Sequence, residues 1–80
     1  MPRRTQPSDA DTGQPLSITL NAQQLNTRAV TLADLVIEAG HEGAKIATAI
    51  NGDFVPVRAR AATRLQSGDR VEIVTARQGG

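Results

Sequence analysis

Cysteine, tryptophan and tyrosine are missing from these 80 residues, and phenylalanine and methionine occur once each. The lack of cysteine excludes a disulfide framework, a thiolate zinc site and a cysteine nucleophile, so any sulfur chemistry must use sulfur from elsewhere. With Phe54 as the one aromatic there is no stacking platform for nucleic acid. Nine Lys and Arg stand against eight Asp and Glu, and a formal charge of +1 lacks the positive excess of a nucleic-acid binder. No apolar run approaches the ~20 residues that cross a bilayer, so no membrane partner is expected. Arg3 and Arg4 are not followed by the apolar stretch of an export signal, and the expected location is the cytoplasm. A chain this short forms one small domain, burying roughly 60% of the surface its unfolded form exposes. A bound cofactor is not expected.

What is present has a clear order. Residues 1–15 carry Pro2, Pro7 and Pro15 and almost no apolar residue, the composition of a disordered leader. From Leu16 the pattern changes, and residues 16–76 read as the folded domain. Leu16, Ile18 and Leu20 alternate with Ser17 and Thr19, the period-two pattern of a strand with one buried face. Leu25 to Arg28 is expected to return as a second strand of a hairpin. Thr31 and Asp34 form a capping box with Asp in the usual place of Glu. Leu32, Leu35, Val36 and Ala39 then recur at helical spacing, predicting about two turns of helix that end at Gly40. Ile46–Ile50 reads as a buried strand, Asn51-Gly52-Asp53 as a hairpin turn, and Phe54-Val55 as the return, which Pro56 stops. Arg58 to Arg64 is either a turn of helix or an irregular crossing. Ser67-Gly68-Asp69 is a turn, and Arg70 to Ala76 is the last strand.

A single amphipathic helix buries its stripe against one face of a sheet. The predicted architecture is therefore α+β: a mixed sheet of about four or five strands packed on one main helix, the β-grasp or ubiquitin-like arrangement. In it the first and last strands lie parallel at the centre, joined through the helix as crossover.

Other residues offer little chemistry. His41 has no convergent partners spaced for catalysis or metal binding, and Asp34, Glu38 and Glu42 describe a solvated helix face. Arg58, Arg60, Arg64, Arg70 and Arg77 make the last third basic, which either steers the chain toward an acidic groove or is ordinary surface. Phe54 is either core or part of an exposed apolar patch used for docking. The end of the chain is different: Arg77-Gln78-Gly79-Gly80 is expected to follow the last strand as an extended, mobile tail. Two residues without Cβ atoms can thread a narrow slot, so the Gly80 carboxylate could reach a catalytic centre in another protein. A carboxylate is a poor electrophile and needs activation, for which adenylation by ATP is the direct route.

The segments Ala49-Ile50-Asn51-Gly52-Asp53-Phe54-Val55-Pro56 and Leu65-Gln66-Ser67-Gly68-Asp69-Arg70-Val71-Glu72-Ile73-Val74, with terminal Gly79-Gly80, resemble the sulfur carrier proteins of thiamine biosynthesis, the ThiS family. The likeness covers residues 16–80, with one departure: family members usually carry Arg directly after Val-Pro, whereas here Val57 intervenes before Arg58. The resemblance implies a non-enzymatic carrier with no catalytic residue and no metal. Gly80 would be adenylated by an adenylyltransferase of the ubiquitin-activating type, which uses ATP, and then converted to a thiocarboxylate. The sulfur would come from a persulfide on a cysteine desulfurase or sulfurtransferase, and thiazole synthase would receive it. Gly79, Gln78 and Arg77 would present the terminus to the partner's active site, and Phe54, Arg58 and Arg70 are candidates for the docking surface. Molybdopterin synthase's small subunit and ubiquitin-like protein modifiers share the diglycine logic and remain alternatives.

Overall fold

The computed structural model describes residues 15–75, so the proposed leader, apart from Pro15, and the tail Arg77-Gln78-Gly79-Gly80 lie outside the described residues. The elements are β1 (Leu16–Leu20), β2 (Gln23–Thr27), α1 (Leu32–Glu38), β3 (Ile46–Ile50), β4 (Asp53–Val55), a 3₁₀ helix (Val57–Ala62) and β5 (Arg70–Thr75). They build a five-stranded sheet in the order β2-β1-β5-β3-β4. Within it β1 and β5 run parallel and the other neighbours antiparallel. This is the β-grasp fold, with α1 as the main helix.

Alternation in β1 and β5 places Leu16, Ile18, Val71 and Ile73 in the core, where they meet Leu32, Leu35 and Val36 of α1. The helix begins as its sequence dictates. The Asp34 N–H donates to Thr31 Oγ1 at 3.1 Å, and the Thr31 N–H donates back to Asp34 Oδ2 at 3.2 Å. At its other end Gly40 takes φ +87°. That conformation lets the Gly40 and His41 N–H groups reach the Ile37 and Val36 carbonyls, both at 3.0 Å, satisfying two orphan acceptors.

The first hairpin differs from expectation. β2 begins at Gln23 and ends at Thr27 because the turn is only two residues long, Asn21 (φ 49°) and Ala22 (φ 71°). The Asn21 side chain substitutes for a strand residue: its Nδ2 donates to the Ile73 carbonyl at 3.1 Å, and its Oδ1 accepts from the Ile73 N–H at 2.9 Å. Asn tolerates the left-handed region, but alanine there carries a Cβ clash. Replacing Ala22 by Gly is expected to stabilise the fold by about 1 kcal/mol. A urea midpoint that falls in Ala22→Gly would contradict this reading of the turn.

β3 also differs, being buried on one face only. Thr48 is buried, Ile46 and Ile50 are half-buried, and Ala47 is exposed, because none of the described residues forms a layer over the outer side of the sheet. The Arg58 to Arg64 segment resolves into the 3₁₀ helix followed by a crossing. There the Leu32 N–H donates to the Thr63 carbonyl at 2.8 Å and the Leu65 N–H to the Val30 carbonyl at 2.9 Å. This crossing ties the 3₁₀ helix to the start of α1.

Candidate docking face and terminal strand

β5 lies between β1 and β3, so the strand that precedes the last five residues of the sequence is the central one of the sheet. Its last described residue, Thr75, pairs with Ile46, the first residue of β3. Gly80, Gly79, Gln78 and Arg77 follow in sequence, outside the described residues. β1 pairs only with Arg70 and Val71 at the start of β5, so at Thr75 the strand partner among the described residues is β3.

The uncovered sheet face is built from the residues that alternate with the core. Phe54 stands opposite Ala49, Ala49 opposite Glu72, and Ala47 opposite Val74. Phe54 is 68% exposed, Val57 69% and Val74 62%. Phe54 therefore belongs to the surface: its chain neighbour Val55 takes the inward position, and a period of two leaves only the outer face for Phe54. Beside the terminal strand this face folds into a shallow groove of about 420 Å³, lined by Ala44, Lys45, Ile46, Ala47, Val57, Val74 and Thr75. Exposed apolar residues clustered this way mark an interaction surface more often than scattered ones do.

The candidate arginines separate. Arg58 is exposed on the 3₁₀ helix. Arg70 is exposed at the first residue of β5, the end of that strand away from Thr75. There the Arg70 N–H donates to Asn51 Oδ1 at 2.9 Å, while Asn51 Nδ2 donates to Asp69 Oδ1 at 3.1 Å. Asn51 (φ 53°) and Gly52 (φ 88°) thus do two jobs, making the hairpin turn and fastening it to the start of β5.

Arg60 is corrected from the basic surface group to the interior. It is buried, with Nε donating to Thr48 Oγ1 at 3.1 Å and Nη2 to the Ile46 carbonyl at 2.9 Å. The Thr48 hydroxyl in turn donates to the Val55 carbonyl at 2.8 Å. Arg60 therefore cannot steer a partner; it fixes the 3₁₀ helix to the strand that flanks Thr75. No periodicity announced this, since one buried position in a short 3₁₀ helix leaves no repeat to read.

The helix carboxylates also have local tasks. Asp34 completes the cap, and Glu38 accepts a short hydrogen bond from the hydroxyl of Thr27, a buried residue at the end of β2. Thr27 Oγ1 also accepts from the Ala29 N–H at 3.0 Å. Among the described residues no three His, Asp or Glu converge as metal ligands, and no helix is long and apolar enough to cross a membrane.

Known proteins place this arrangement. The crystal structure of the thiamine biosynthesis protein (ThiS) from Geobacter metallireducens superposes with a TM-score of 0.69 at 22% identity, covering 81% of this chain and 100% of that one. No curated protein shows significant similarity to this chain. The ThiS family model matches residues 13–80, which takes in the whole described domain, the Asn51 to Pro56 segment and the diglycine. With fold, motifs and family model in agreement, the chain belongs to the ThiS family, the β-grasp sulfur carriers of thiamine biosynthesis.

Proposed function

We propose that the working group of this protein is the Gly80 carboxylate and that the domain is a handle by which partners hold it. The observation that carries the reading is the match of the ThiS family model through Gly80 on a chain whose central strand leads to that residue. A Gly80 oxygen attacks the α-phosphorus of ATP in an adenylyltransferase of the ubiquitin-activating type, and pyrophosphate leaves. The terminal sulfur of a partner's persulfide attacks the acyl-adenylate carbon, the carbon–oxygen bond breaks, and AMP departs with its electron pair. A thiol reductant then cleaves the resulting sulfur–sulfur bond, leaving a thiocarboxylate on Gly80. Thiazole synthase takes that sulfur, and water restores the carboxylate. In this scheme the chain is a substrate rather than an enzyme, and ATP belongs to the partner's site.

Adenylation is tested by exchange of labelled pyrophosphate into ATP with the adenylyltransferase, with and without this chain. Exchange that requires the chain and vanishes when Gly80 is removed is the expected result. Exchange that persists without Gly80 would refute the scheme.

The docking surface in this reading is the open sheet face around Phe54, with Arg58 and Arg70 at its edges. Because Phe54 is exposed and not in the core, Phe54→Glu should change the unfolding free energy measured in urea by no more than about 0.5 kcal/mol. It should weaken binding to the adenylyltransferase by about tenfold or more, the usual effect of losing a central aromatic anchor. Titration calorimetry reads this directly, and unchanged affinity would move the interface elsewhere.

A further inference from the structure

Of the three asparagines in this chain, Asn21, Asn26 and Asn51, only Asn51 is followed by glycine. With no Cβ beside it the Gly52 nitrogen is unhindered, so it can attack the side-chain amide of the asparagine before it. The structure holds that amide at both ends. Asn51 Oδ1 accepts from the Arg70 N–H at 2.9 Å, and Asn51 Nδ2 donates to Asp69 Oδ1 at 3.1 Å. Asp69 is itself fixed, its Oδ2 accepting from the Gln66 N–H at 2.8 Å and its carbonyl from the Thr19 N–H at 2.9 Å. Asn51 and Gly52 are both exposed in the turn between β3 and β4, so water has access to them.

We infer that Asn51 is a deamidation site guarded by its own clamp, and that loss of the amide unfastens the β3–β4 hairpin from β5. When Asn51 leaves Asp69 and Arg70, the Gly52 nitrogen gives its proton to water and attacks Cγ of Asn51. A carbon–nitrogen bond forms, the Cγ–Nδ2 bond breaks, and ammonia departs with the electron pair and a proton from water. Water then opens the cyclic imide at either carbonyl, leaving aspartate or isoaspartate at position 51. Neither product keeps the Nδ2 donor. Aspartate sets a second carboxylate against Asp69 where a hydrogen bond stood. Isoaspartate lengthens the main chain of a turn whose register pairs Ile50 with Asp53. Phe54 is the next residue of β4, so an aged carrier presents it from a loosened hairpin, a consequence that rests on the docking role proposed for Phe54.

The purified full chain is kept warm in mildly alkaline buffer and digested at intervals, and each asparagine peptide is followed by mass and by isoaspartate assay. The acid form is expected at position 51 and not at Asn21 or Asn26. It should accumulate about threefold or more faster in Asp69→Ala, which removes one arm of the clamp. Val36→Ala, a core loss on α1, should keep the parental rate, because the clamp opens locally. Equal acceleration by Val36→Ala would mean that the reaction waits on global unfolding and would overturn the guard. An unchanged rate in Asp69→Ala, or no acid at position 51 in either chain, would overturn it too. The unfastening is read from Asn51→Asp, whose urea midpoint should fall. Adding Asp69→Asn to that variant again sets one amide against one carboxylate and should recover the parental midpoint. A parental midpoint in Asn51→Asp alone, or no recovery in the pair, would refute the unfastening. None of these measurements uses an activating enzyme, so their failure is separate from failure of the carrier scheme.

Discussion

Leu35→Ala is expected to lower stability by about 2–5 kcal/mol, the range for removing a fully buried leucine and leaving a cavity. Leu35 is 0% exposed at the middle of the only α-helix among the described residues, within the core cluster that joins α1 to β1 and β5. A domain of this length has on the order of 5 kcal/mol in total. The substitution therefore removes a large part of the margin, and the thermal midpoint should fall by roughly 10 °C or more. The helix cannot compensate alone, since seven residues are too few to hold a helix in water without tertiary packing. Urea denaturation followed by far-ultraviolet circular dichroism measures the change. A loss below about 1 kcal/mol would mean that the helix packs on the sheet through other residues.

Removing Gly79 and Gly80 should abolish sulfur delivery while leaving the fold intact. Every residue of the core cluster lies between Leu16 and Ile73, so the fold is not expected to need the diglycine. In the proposed scheme the chemistry does depend on it, because the truncated chain would end in Gln78, whose side chain widens the segment that has to thread the activating site. In cells that rely on this carrier for thiazole, the truncated chain is expected to give no growth without added thiamine, and its urea midpoint should match the parent's. Growth at the parental rate would show that the diglycine is incidental. A lowered midpoint would show that the tail packs on the domain.

Several elements were readable in the residues because their causes are local. The Thr31–Asp34 cap, the left-handed Gly40 and the Asn51-Gly52 turn each depend on the chemistry of two or three neighbouring residues. The alternation in β1 and β5 likewise reports a sheet with one buried face. The helix crossover then leaves few ways to arrange the remaining strands. What local chemistry does not specify is where a residue lies relative to distant parts of the chain. Phe54 suits a core as well as a surface, and its exposure is decided by the register of β4 against β3 and by the lack, among the described residues, of a second layer over the sheet. Arg60 resembles its exposed neighbours Arg58 and Arg64 until the 3₁₀ helix turns it onto Thr48 and Ile46. The Asn21-Ala22 turn was obscured because alanine is a poor resident of the left-handed region, so the signal usually supplied by glycine was missing. The groove holding Lys45 depends on residues from three separate segments and has no linear signature.

Whether Gly80 carries sulfur can be read from the intact mass of the protein. The protein is incubated with ATP, its adenylyltransferase and a persulfide donor, then reduced and weighed beside a chain lacking Gly80. A gain equal to exchanging one oxygen for sulfur, absent from the shortened chain, is the expected result. No gain in the full chain, with an enzyme and donor competent on another carrier, would contradict it.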